Sequence, residues 1–333
     1  MKRVTMAEVA AMANVSKSTV SQYINNRFEY MSEETKLRIE NAIETLQYRP
    51  NYVAKSLKQK QTSTIGVIVA NILHTFSTQV IRSIEDFCRE SGFHVIVCNA
   101  DDNPEAEKNY IDMLRAKQVD GLIVFPTGGN MELYESMVEE KYPLVFVDRI
   151  VKDVRVDTVL LDNERASELA VDHLISKGYR RIGMITTSLH RNITPRMERI
   201  NGFKKSLNKH SLPVRESDYA GVEISDMKQT LQRMFAQSDP PEALIAGNDL
   251  TMMEILKFAK AANLAIPDQL ALVGIDDVSF SEIYDPPLTT VRQPAFEIGK
   301  RAGELLLRQV KEGRQDEGRV YRFTPELIIR SST

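Results

Sequence analysis

The sequence contains no long apolar run and few cysteines. Its apolar stretches are short, as in Ile65–Ala70, whereas a membrane-spanning helix needs roughly 20 such residues. The N-terminus lacks the apolar core of a secretory signal. Two cysteines, Cys88 and Cys98, cannot build a disulfide framework. These absences predict a cytoplasmic protein with no membrane partner.

Signatures of catalysis are also missing. The sequence has no glycine-rich dinucleotide or triphosphate motif and no G-x-S-x-G nucleophile elbow. Its five histidines show neither H-x-x-x-H nor H-E-x-x-H spacing, and the two cysteines lie ten positions apart. We therefore expect no enzyme activity, no cofactor and no metal site, and we interpret both cysteines as small core residues.

Charge is distributed unevenly along a chain of ordinary globular composition. Apolar residues make up 42% and charged residues 27% of the 333 residues, which excludes wholesale disorder. Residues 1–60 carry ten Lys or Arg and six Asp or Glu, a net charge of +4, while the remainder carries −7. A basic head on an acidic body favours a polyanionic partner for the head, although an ordinary solvated surface would account for the same charge.

The first 50 residues have the pattern of three short helices without strands. Helix starts are predicted at the capping box Thr5–Glu8, at the N-cap Ser16 and after Ser32. The first helix is expected to end at the turn Asn14-Val15, the second near Asn25 and the third near Gln47, with a stop at Pro50. The third helix is expected to turn five apolar residues inward: Leu37, Ile39, Ala42, Ile43 and Leu46.

The second predicted helix has the chemistry of a base-reading helix. Val20 and Ile24 are four residues apart and face the core. The opposite face carries only short or hydrogen-bonding side chains without a carboxylate, namely Lys17, Ser18, Ser21 and Gln22. Reading the major groove requires such groups near the start of a helix, whereas a merely solvated face usually pairs Glu with Lys. We therefore predict base contacts by Lys17, Ser18 and Gln22.

Buried strands alternate with amphipathic helices after a polar linker, residues 56–64. The predicted strands are Ile65–Val69, Val95–Cys98, Gly121–Phe125, Leu144–Val147, Thr158–Leu161, Arg181–Ile185, Ala243–Ala246 and Leu270–Ile275. Helices are predicted near residues 78–91, 104–117, 131–140, 163–177, 197–209, 226–236, 249–262 and 295–311. This alternation predicts an α/β fold of two doubly wound parallel-sheet lobes with a cleft. A single eight-fold barrel is the competing layout, disfavoured by irregular strand spacing after residue 185.

Motifs along nearly the whole chain resemble those of the lac repressor/galactose repressor family. The helix-turn-helix head of that family is matched by Val4-Thr5, Glu8-Val9-Ala10, Ala13, Val15-Ser16 and Thr19-Val20-Ser21, and its hinge by Leu46, Tyr48, Pro50-Asn51, Val53-Ala54 and Ser56-Leu57. In the body the matches are Asp148-Arg149, Asp162-Asn163, His173-Leu174, Gly178-Tyr179, Arg181-Ile182, Arg199, Gly202-Phe203, Asn248-Asp249, Gly274, Asp276-Asp277 and residues 287–294.

The resemblance implies an all-α helix-turn-helix head at residues 1–50 and a hinge helix and linker at 51–61. Residues 62–333 then form a periplasmic-binding-protein-like body, with lobe one at 62–161 and 292–322 and lobe two at 162–291 and 323–333. The family binds a pseudo-palindromic double-stranded DNA operator as a homodimer. Because no leucine heptad follows the last predicted strand, Glu326–Arg330, we expect a dimer rather than a tetramer.

The resemblance also assigns residues to each interface. Contacts with the DNA backbone would come from Thr5, Ser16, Thr19, Ser21, Asn25, Ser32, Tyr48 and Asn51. Hinge and minor-groove contacts would come from Val53, Ala54 and Leu57. Gln22 departs from the family, in which Arg is frequent, and this difference shifts the expected base preference from guanine toward adenine.

An effector would bind between the lobes through His74, Phe76, Asp148, Arg149, Arg199, Asn248 and Asp276. Ligand groups bind at the carboxyl ends of parallel strands, where most of these residues fall. The segment His74-Thr75-Phe76-Ser77 departs from the Asn-Pro-Phe-Phe-like sequence of the family. Four arginines near the predicted cleft favour a sugar acid over a neutral sugar: Arg149, Arg191, Arg196 and Arg199.

Taken together, the sequence predicts a repressor of carbohydrate or sugar-acid genes that a sugar or sugar acid releases from DNA. One alternative is a regulator of the same family that needs a corepressor. Another is a sugar-binding transport receptor, but the basic head and the missing signal peptide argue against that class.

Overall fold

The computed structural model describes residues 4–29, 31–48, 61–315 and 317–333. The chain divides into two compact units, Met1–Thr62 and Ser63–Thr333, which we call the head and the body. The hinge predictions for Asn51, Val53, Ala54 and Leu57 lie outside the described residues.

Three helices lie in the described part of the head: α1 (Met6–Met12), α2 (Lys17–Ile24) and α3 (Glu33–Thr45). Each begins after a hydroxyl side chain that accepts a hydrogen bond from a first-turn amide. Thr5 forms a capping box with Glu8, and Ser16 and Ser32 accept from the amides of the residues three positions later. All three predicted helix starts are therefore confirmed.

The head core forms where one face of each helix meets the others. Val9, Val20 and Ile39 are fully buried there. The prediction that Leu37 faces inward is wrong, because its side chain is 57% exposed. Leu37 precedes Ile39 by two positions, about 200° around the helix, so the two side chains cannot share one face.

Twelve strands lie among the described residues of the body. They are β1 (Thr64–Val69), β2 (His94–Asn99), β3 (Gly121–Val124), β4 (Leu144–Val147), β5 (Asp157–Leu161), β6 (Ile182–Thr187), β7 (Tyr219–Val222), β8 (Ala243–Ala246), β9 (Ala271–Ile275), β10 (Thr289–Arg292), β11 (Val320–Phe323) and β12 (Glu326–Ile328). Its helices are α4 (Thr75–Glu90), α5 (Pro104–Ala116), α6 (Met131–Glu139), α7 (Asn163–Ser176), α8 (Thr194–Lys209), α9 (Ile224–Phe235), α10 (Asp249–Ala261) and α11 (Ala295–Glu312).

The strands form two six-stranded sheets, one in each lobe. The sheet of lobe one has the order β11-β5-β4-β3-β1-β2, and the sheet of lobe two has the order β12-β10-β9-β8-β6-β7. All neighbours are parallel except β12, which runs antiparallel to β10. The chain changes sheet after β5, after β10 and after β11. The predicted two-lobed, doubly wound architecture is confirmed, and the barrel layout is excluded.

Three strands were missing from the sequence prediction: β7, β10 and β11. Two of them, β7 and β11, lie at sheet edges and are only partly buried, so they carry no continuous apolar run. The strand β10 is short and begins with two threonines. Burial on both faces produces continuous apolar runs such as those of β4 and β8, by which these strands were found.

Close helix packing in lobe two positions a residue of the cleft. A Cβ atom added at Gly202 of α8 would lie 2.5 Å from the carbonyl oxygen of Glu164 in α7. Only glycine therefore permits this approach of the two helices. Arg199 lies three positions earlier on α8 and is held against α7 by the same packing.

No helix among the described residues is long and apolar enough to cross a membrane.

Candidate functional site

The outer face of α2 is exposed and bears no acid. Lys17, Ser18 and Gln22 are exposed, and Ser21 is partly buried beside them. Within the described residues, the side chains of Lys17 and Gln22 make no hydrogen bond or ion pair. The face therefore presents donors and acceptors with little competition from neighbouring groups, as base reading in a major groove requires.

Several residues predicted to contact the DNA backbone have a local role as well. Thr5, Ser16 and Ser32 cap helices. The Ser16 hydroxyl also lies 2.6 Å from that of Ser18 and 2.8 Å from that of Thr19. Asn25 donates its amide to the carbonyl oxygen of Ser21 at 2.7 Å. These bonds hold the hydroxyl and amide groups near the ends of α2.

Tyr48 lies in the head core rather than on an open surface. Its side chain is 7% exposed, and burial raises the pKa of its phenol. The sequence prediction gave it a contact with the DNA backbone but no part in the core. Asn51, the remaining predicted backbone contact, lies outside the described residues.

One cavity between the lobes is lined by all seven residues predicted to bind an effector. Lobe one contributes His74, Phe76, Asp148 and Arg149, and lobe two contributes Arg199, Asn248 and Asp276. Asp148 and Asp276 directly follow β4 and β9, and Asn248 lies two positions after β8. The free volume is about 40 Å³. Because ligand pockets usually enclose about 300–1,000 Å³, a sugar can bind here only after side chains or lobes move.

Two of the cavity carboxylates stand on unusual backbone. Asp148 has φ +69° and Asp276 has φ +97°, both in the left-handed region. Aspartate tolerates this region better than most residues, but the conformation still stores strain. Both aspartates directly follow strands, so the ends of β4 and β9 present their carboxylates to the cleft.

Arg199 is a buried cation held by neutral partners. It is 5% exposed, and it donates from Nε to Oδ1 of Asn163 at 2.9 Å and from Nη1 to the carbonyl oxygen of Gly247 at 2.6 Å. No carboxylate oxygen of a described residue lies within 4.0 Å of its guanidinium nitrogens. Two neutral acceptors therefore fix the geometry of its guanidinium, while its charge interacts with the nearby carboxylate of Asp276 without a direct ion pair.

Asp276 faces Arg199 in a fully buried position. Its Oδ2 accepts from the Asp249 amide at 3.1 Å, and its Oδ1 accepts from Nε2 of Gln293 at 2.5 Å. Burial, assisted by the charge of Asp249, raises the pKa of Asp276 to about 6, against the lowering effect of Arg199. Near neutral pH this carboxylate is thus close to its titration range, unlike an ordinary aspartate.

Asp249, which was not among the predicted site residues, joins the two lobes. Its Oδ1 lies 2.7 Å from Nδ1 of His74, and its Oδ2 accepts from the Thr75 amide at 2.7 Å. Burial opposes ionisation, but the hydrogen bonds from His74 and from the first-turn amides lower the pKa of Asp249 overall. A lobe-two carboxylate thereby caps α4 of lobe one.

Asn248 and Gln293 both line the cavity, but their side-chain amides differ in how many hydrogen bonds they make within the protein. Asn248 caps α10 by accepting from the Thr251 amide at 2.8 Å and donates to the Thr187 hydroxyl at 3.2 Å. Gln293, which was also not predicted, lines the cavity, and its buried Oε1 accepts no hydrogen bond within the described residues. Gln293 is thus an acceptor open to a ligand, whereas the Asn248 amide is largely engaged.

A second carboxylate, Asp102, bridges the arginines of the two lobes. Arg149 of lobe one donates from Nη1 to Asp102 Oδ1 at 3.0 Å and to the Pro126 carbonyl oxygen at 3.0 Å. Nη2 of Arg196 in α8 lies 3.6 Å from Asp102 Oδ2. Arg191 is exposed and donates to the Asp102 carbonyl oxygen at 2.8 Å. Of the four arginines expected near the cleft, Arg149, Arg196 and Arg199 line the cavity, whereas Arg191 is not among its lining residues.

Among the residues that the structure describes, no group of three or more His, Cys, Asp and Glu side chains has the arrangement of a metal site.

The capped three-helix head and the two-lobed body define the class of DNA-binding regulators that carry a periplasmic-binding-protein-like domain. Residues 5–51 match the family described as bacterial regulatory proteins, lacI family, and residues 171–333 match the periplasmic binding protein-like domain. The chain is 48% identical over 332 residues to the probable HTH-type transcriptional regulator EndR of Paenibacillus polymyxa, covering 98% of both chains.

This protein belongs to the LacI family of bacterial regulatory proteins, which are DNA-binding transcription regulators that bind operator DNA and small-molecule effectors. Two solved structures share its fold at 24% identity. The lac repressor dimer bound to operator and the anti-inducer ONPF matches with a TM-score of 0.85 over 99% of both chains. The transcriptional regulator CelR in complex with cellobiose matches with a TM-score of 0.72 over 99% of this chain and 100% of that one.

Proposed function

We propose that this protein is a dimeric repressor of carbohydrate or sugar-acid genes and that a small polar effector in the interlobe cleft releases it from its operator. The observation that carries the effector site is the single cavity that collects all seven predicted binding residues from both lobes. Its polar lining of guanidinium, carboxylate and amide groups suits a polyhydroxylated ligand. The shared fold with the CelR–cellobiose complex supports the same class of ligand.

In the head, Lys17, Ser18 and Gln22 of α2 read bases in the major groove of each operator half-site. The exposed, acid-free face that they form supports this role. Contacts with the DNA backbone come from the residues that the sequence assigns to it: Thr5, Ser16, Thr19, Ser21, Asn25, Ser32, Tyr48 and Asn51. In the hinge, Val53, Ala54 and Leu57 contact the minor groove, where Leu57 wedges between base pairs.

A second copy of the chain covers the β2 edge of lobe one. Leu73 is 71% exposed, and Ile72 and Val97 are each 39% exposed. The amide of Ile72 donates to Oδ1 of Asn99 at 3.0 Å, which holds this loop beside β2. An exposed edge strand with apolar neighbours favours pairing with another chain, and the operator-bound lac repressor of similar fold is a dimer.

The effector acts by shifting a population between two lobe arrangements. The pairs His74–Asp249 and Arg196–Asp102 bridge the lobes across the cleft. An effector that replaces such contacts binds the two arrangements with different affinity, which is the requirement for a shift. A coupling free energy of about 1–3 kcal/mol would change operator affinity roughly 5- to 150-fold.

The test begins with the full chain and a pool of random duplexes, from which we expect a pseudo-palindromic operator to be enriched. Its affinity is then measured by fluorescence anisotropy across neutral sugars and sugar acids. At least one compound should weaken operator binding. Arg199→Lys should abolish that response because lysine cannot reproduce the two-nitrogen geometry of Arg199. The matched control is Arg89→Lys, whose side chain on α4 is 63% exposed. If a compound still releases the Arg199→Lys variant from the operator, the assigned effector site is wrong. If no operator sequence is enriched from the random duplexes, the proposal that the head reads an operator is wrong.

A further inference from the structure

We propose that the effector carries a carboxylate and that this group binds between Arg149 and Arg196, where it replaces the side chain of Asp102. The inference rests on the proposed effector function of the cleft and names the chemistry of its ligand. Asp102 thus acts as an internal competitor of the effector.

The two arginines come from opposite lobes and meet at one carboxylate. Nη1 of Arg149 lies 3.0 Å from Asp102 Oδ1, and Nη2 of Arg196 lies 3.6 Å from Asp102 Oδ2. Both arginine side chains are largely buried, at 7% and 14% exposure. Each oxygen of the carboxylate therefore faces one lobe. A ligand carboxylate in the same place would join the lobes in the same way.

Asp102 belongs to the loop between β2 and α5, and its backbone is anchored independently of its side chain. Its amide donates to the Ala70 carbonyl oxygen at 2.6 Å, and its own carbonyl oxygen accepts from Arg191 at 2.8 Å. The side chain is 32% exposed. It can therefore rotate into solvent while the loop stays in place, which removes the anion that the two guanidinium groups share and leaves Arg149 beside Asp148.

The charges around this position require an anion. Burial and the charge of Arg149 lower the pKa of Arg196, and the carboxylates of Asp102, Asp148 and Glu223 act in the opposite direction. Asp148 remains 3.5 Å from Nε of Arg149, but this buried nitrogen forms no hydrogen bond within the described residues. Arg199 adds a third guanidinium whose hydrogen bonds go to neutral groups. Sugar hydroxyls cannot neutralise these charges, whereas a carboxylate can.

The first experiment asks whether the arginine pair accepts an exogenous carboxylate. In the full chain, Asp102→Ala should lower the midpoint of thermal unfolding, and sodium acetate should raise that midpoint more than it does for the unmodified protein. Sodium chloride at the same ionic strength should not. The matched control is Asp101→Ala, which removes an exposed carboxylate from the same loop. Equal effects of acetate on Asp102→Ala, Asp101→Ala and the unmodified protein would overturn the proposal.

The second experiment compares gluconate with glucose and galacturonate with galactose in calorimetric titrations without DNA. Any acid that binds should bind more tightly than its neutral parent, and Arg196→Gln should weaken it about ten- to a hundredfold, the value of a charge-assisted hydrogen bond. Neutral sugars that bind as tightly as the acids, or acid binding that Arg196→Gln leaves unchanged, would overturn the proposal. If none of these four compounds binds, the acetate experiment alone tests the proposal. An acid that binds through Arg196 but leaves operator affinity unchanged supports this inference and contradicts the proposed repressor mechanism instead.

Discussion

The outer face of α2 and the interlobe cavity are both polar, but they differ in how their side chains are engaged. On α2, Lys17 and Gln22 are exposed and make no side-chain bond within the described residues. In the cavity, Arg149, Arg199 and Asp276 are nearly or fully buried, and each already has hydrogen-bond partners in the protein. Lys17 and Gln22 can contact DNA without breaking bonds within the protein, whereas the cavity side chains must exchange protein partners for ligand atoms.

This difference explains why one of the two sites can control the other. On α2, Lys17 and Gln22 break no internal bond on binding, so the affinity of this face depends on its complementarity to the DNA and on the cost of ordering these two side chains. A site whose residues join two lobes changes those lobes whenever a ligand takes over its contacts, as His74 with Asp249 illustrates. Such a site can report the presence of a ligand to the rest of the protein.

The largest expected effect comes from removing the scaffold behind the α2 face. Ile39→Ala deletes a fully buried side chain, which costs about 2–5 kcal/mol in comparable cores. Because the head is a small unit, this loss should unfold much of it and abolish operator binding. Differential scanning calorimetry should show the body transition unchanged, since the body is a separate compact unit.

Leu37→Ala is the matched control for this prediction, because Leu37 lies on the same helix but is 57% exposed. It should change stability by no more than about 0.5 kcal/mol. Similar losses from the two substitutions would contradict the described core of the head.

The next largest effect concerns Asp276, the buried carboxylate of the cleft. Its pKa lies near 6 in the folded protein against an ordinary value of 3.8, so the folded state holds this proton more tightly than the unfolded state. Stability contributed by protonated Asp276 is therefore present below about pH 4 and is lost as the pH rises through 6. The shift corresponds to a loss of the order of 3 kcal/mol.

Asp276→Asn keeps the shape of the side chain but removes the titration. Urea unfolding from pH 4 to pH 7 should show the variant gaining stability relative to the unmodified protein as the pH rises. A difference that stays constant, or that changes in the opposite direction, would show that Asp276 is not held near neutrality by burial.

The smallest effect separates helix capping from base reading within α2. Ser16 accepts from the Thr19 amide at 3.1 Å, so Ser16→Ala should lower head stability by about 1 kcal/mol. Ser18 is exposed and accepts no amide hydrogen bond in the structure, so Ser18→Ala should leave the melting of the head unchanged but weaken operator binding. Paired melting and anisotropy measurements check these roles. If Ser18→Ala lowered head stability and Ser16→Ala weakened only operator binding, the roles assigned to Ser16 and Ser18 would be reversed.

The features that depend on local residue patterns could be predicted from the sequence. A partly buried edge strand and the contacts that form only when the two lobes meet could not. Buried parallel strands such as β4 and β8 have continuous apolar sequences and were located with correct bounds, whereas the half-buried edge strand β7 was not found. The site residues after β4 and β9 were predictable because parallel strands bring their carboxyl ends together.

Asp249 and Asp102 were not predicted as site residues, because their importance arises only when the lobes meet. Asp249 lies in the first turn of α10, and Asp102 lies in a loop rich in acids and turn formers, so both have ordinary local explanations. The available signal for Asp249 was its position beside Asn248 at the end of a strand.

The central claim is that the exposed face of α2 reads the operator, and Gln22→Arg tests it most directly. Binding-site selection with the full chain should show a pseudo-palindrome in which one position per half-site changes from adenine toward guanine, a preference of about 1–3 kcal/mol. Asn41→Arg adds the same charge to an exposed position on α3 and should leave the selected sequence unchanged. Identical operators for Gln22→Arg and the unmodified protein would contradict the account.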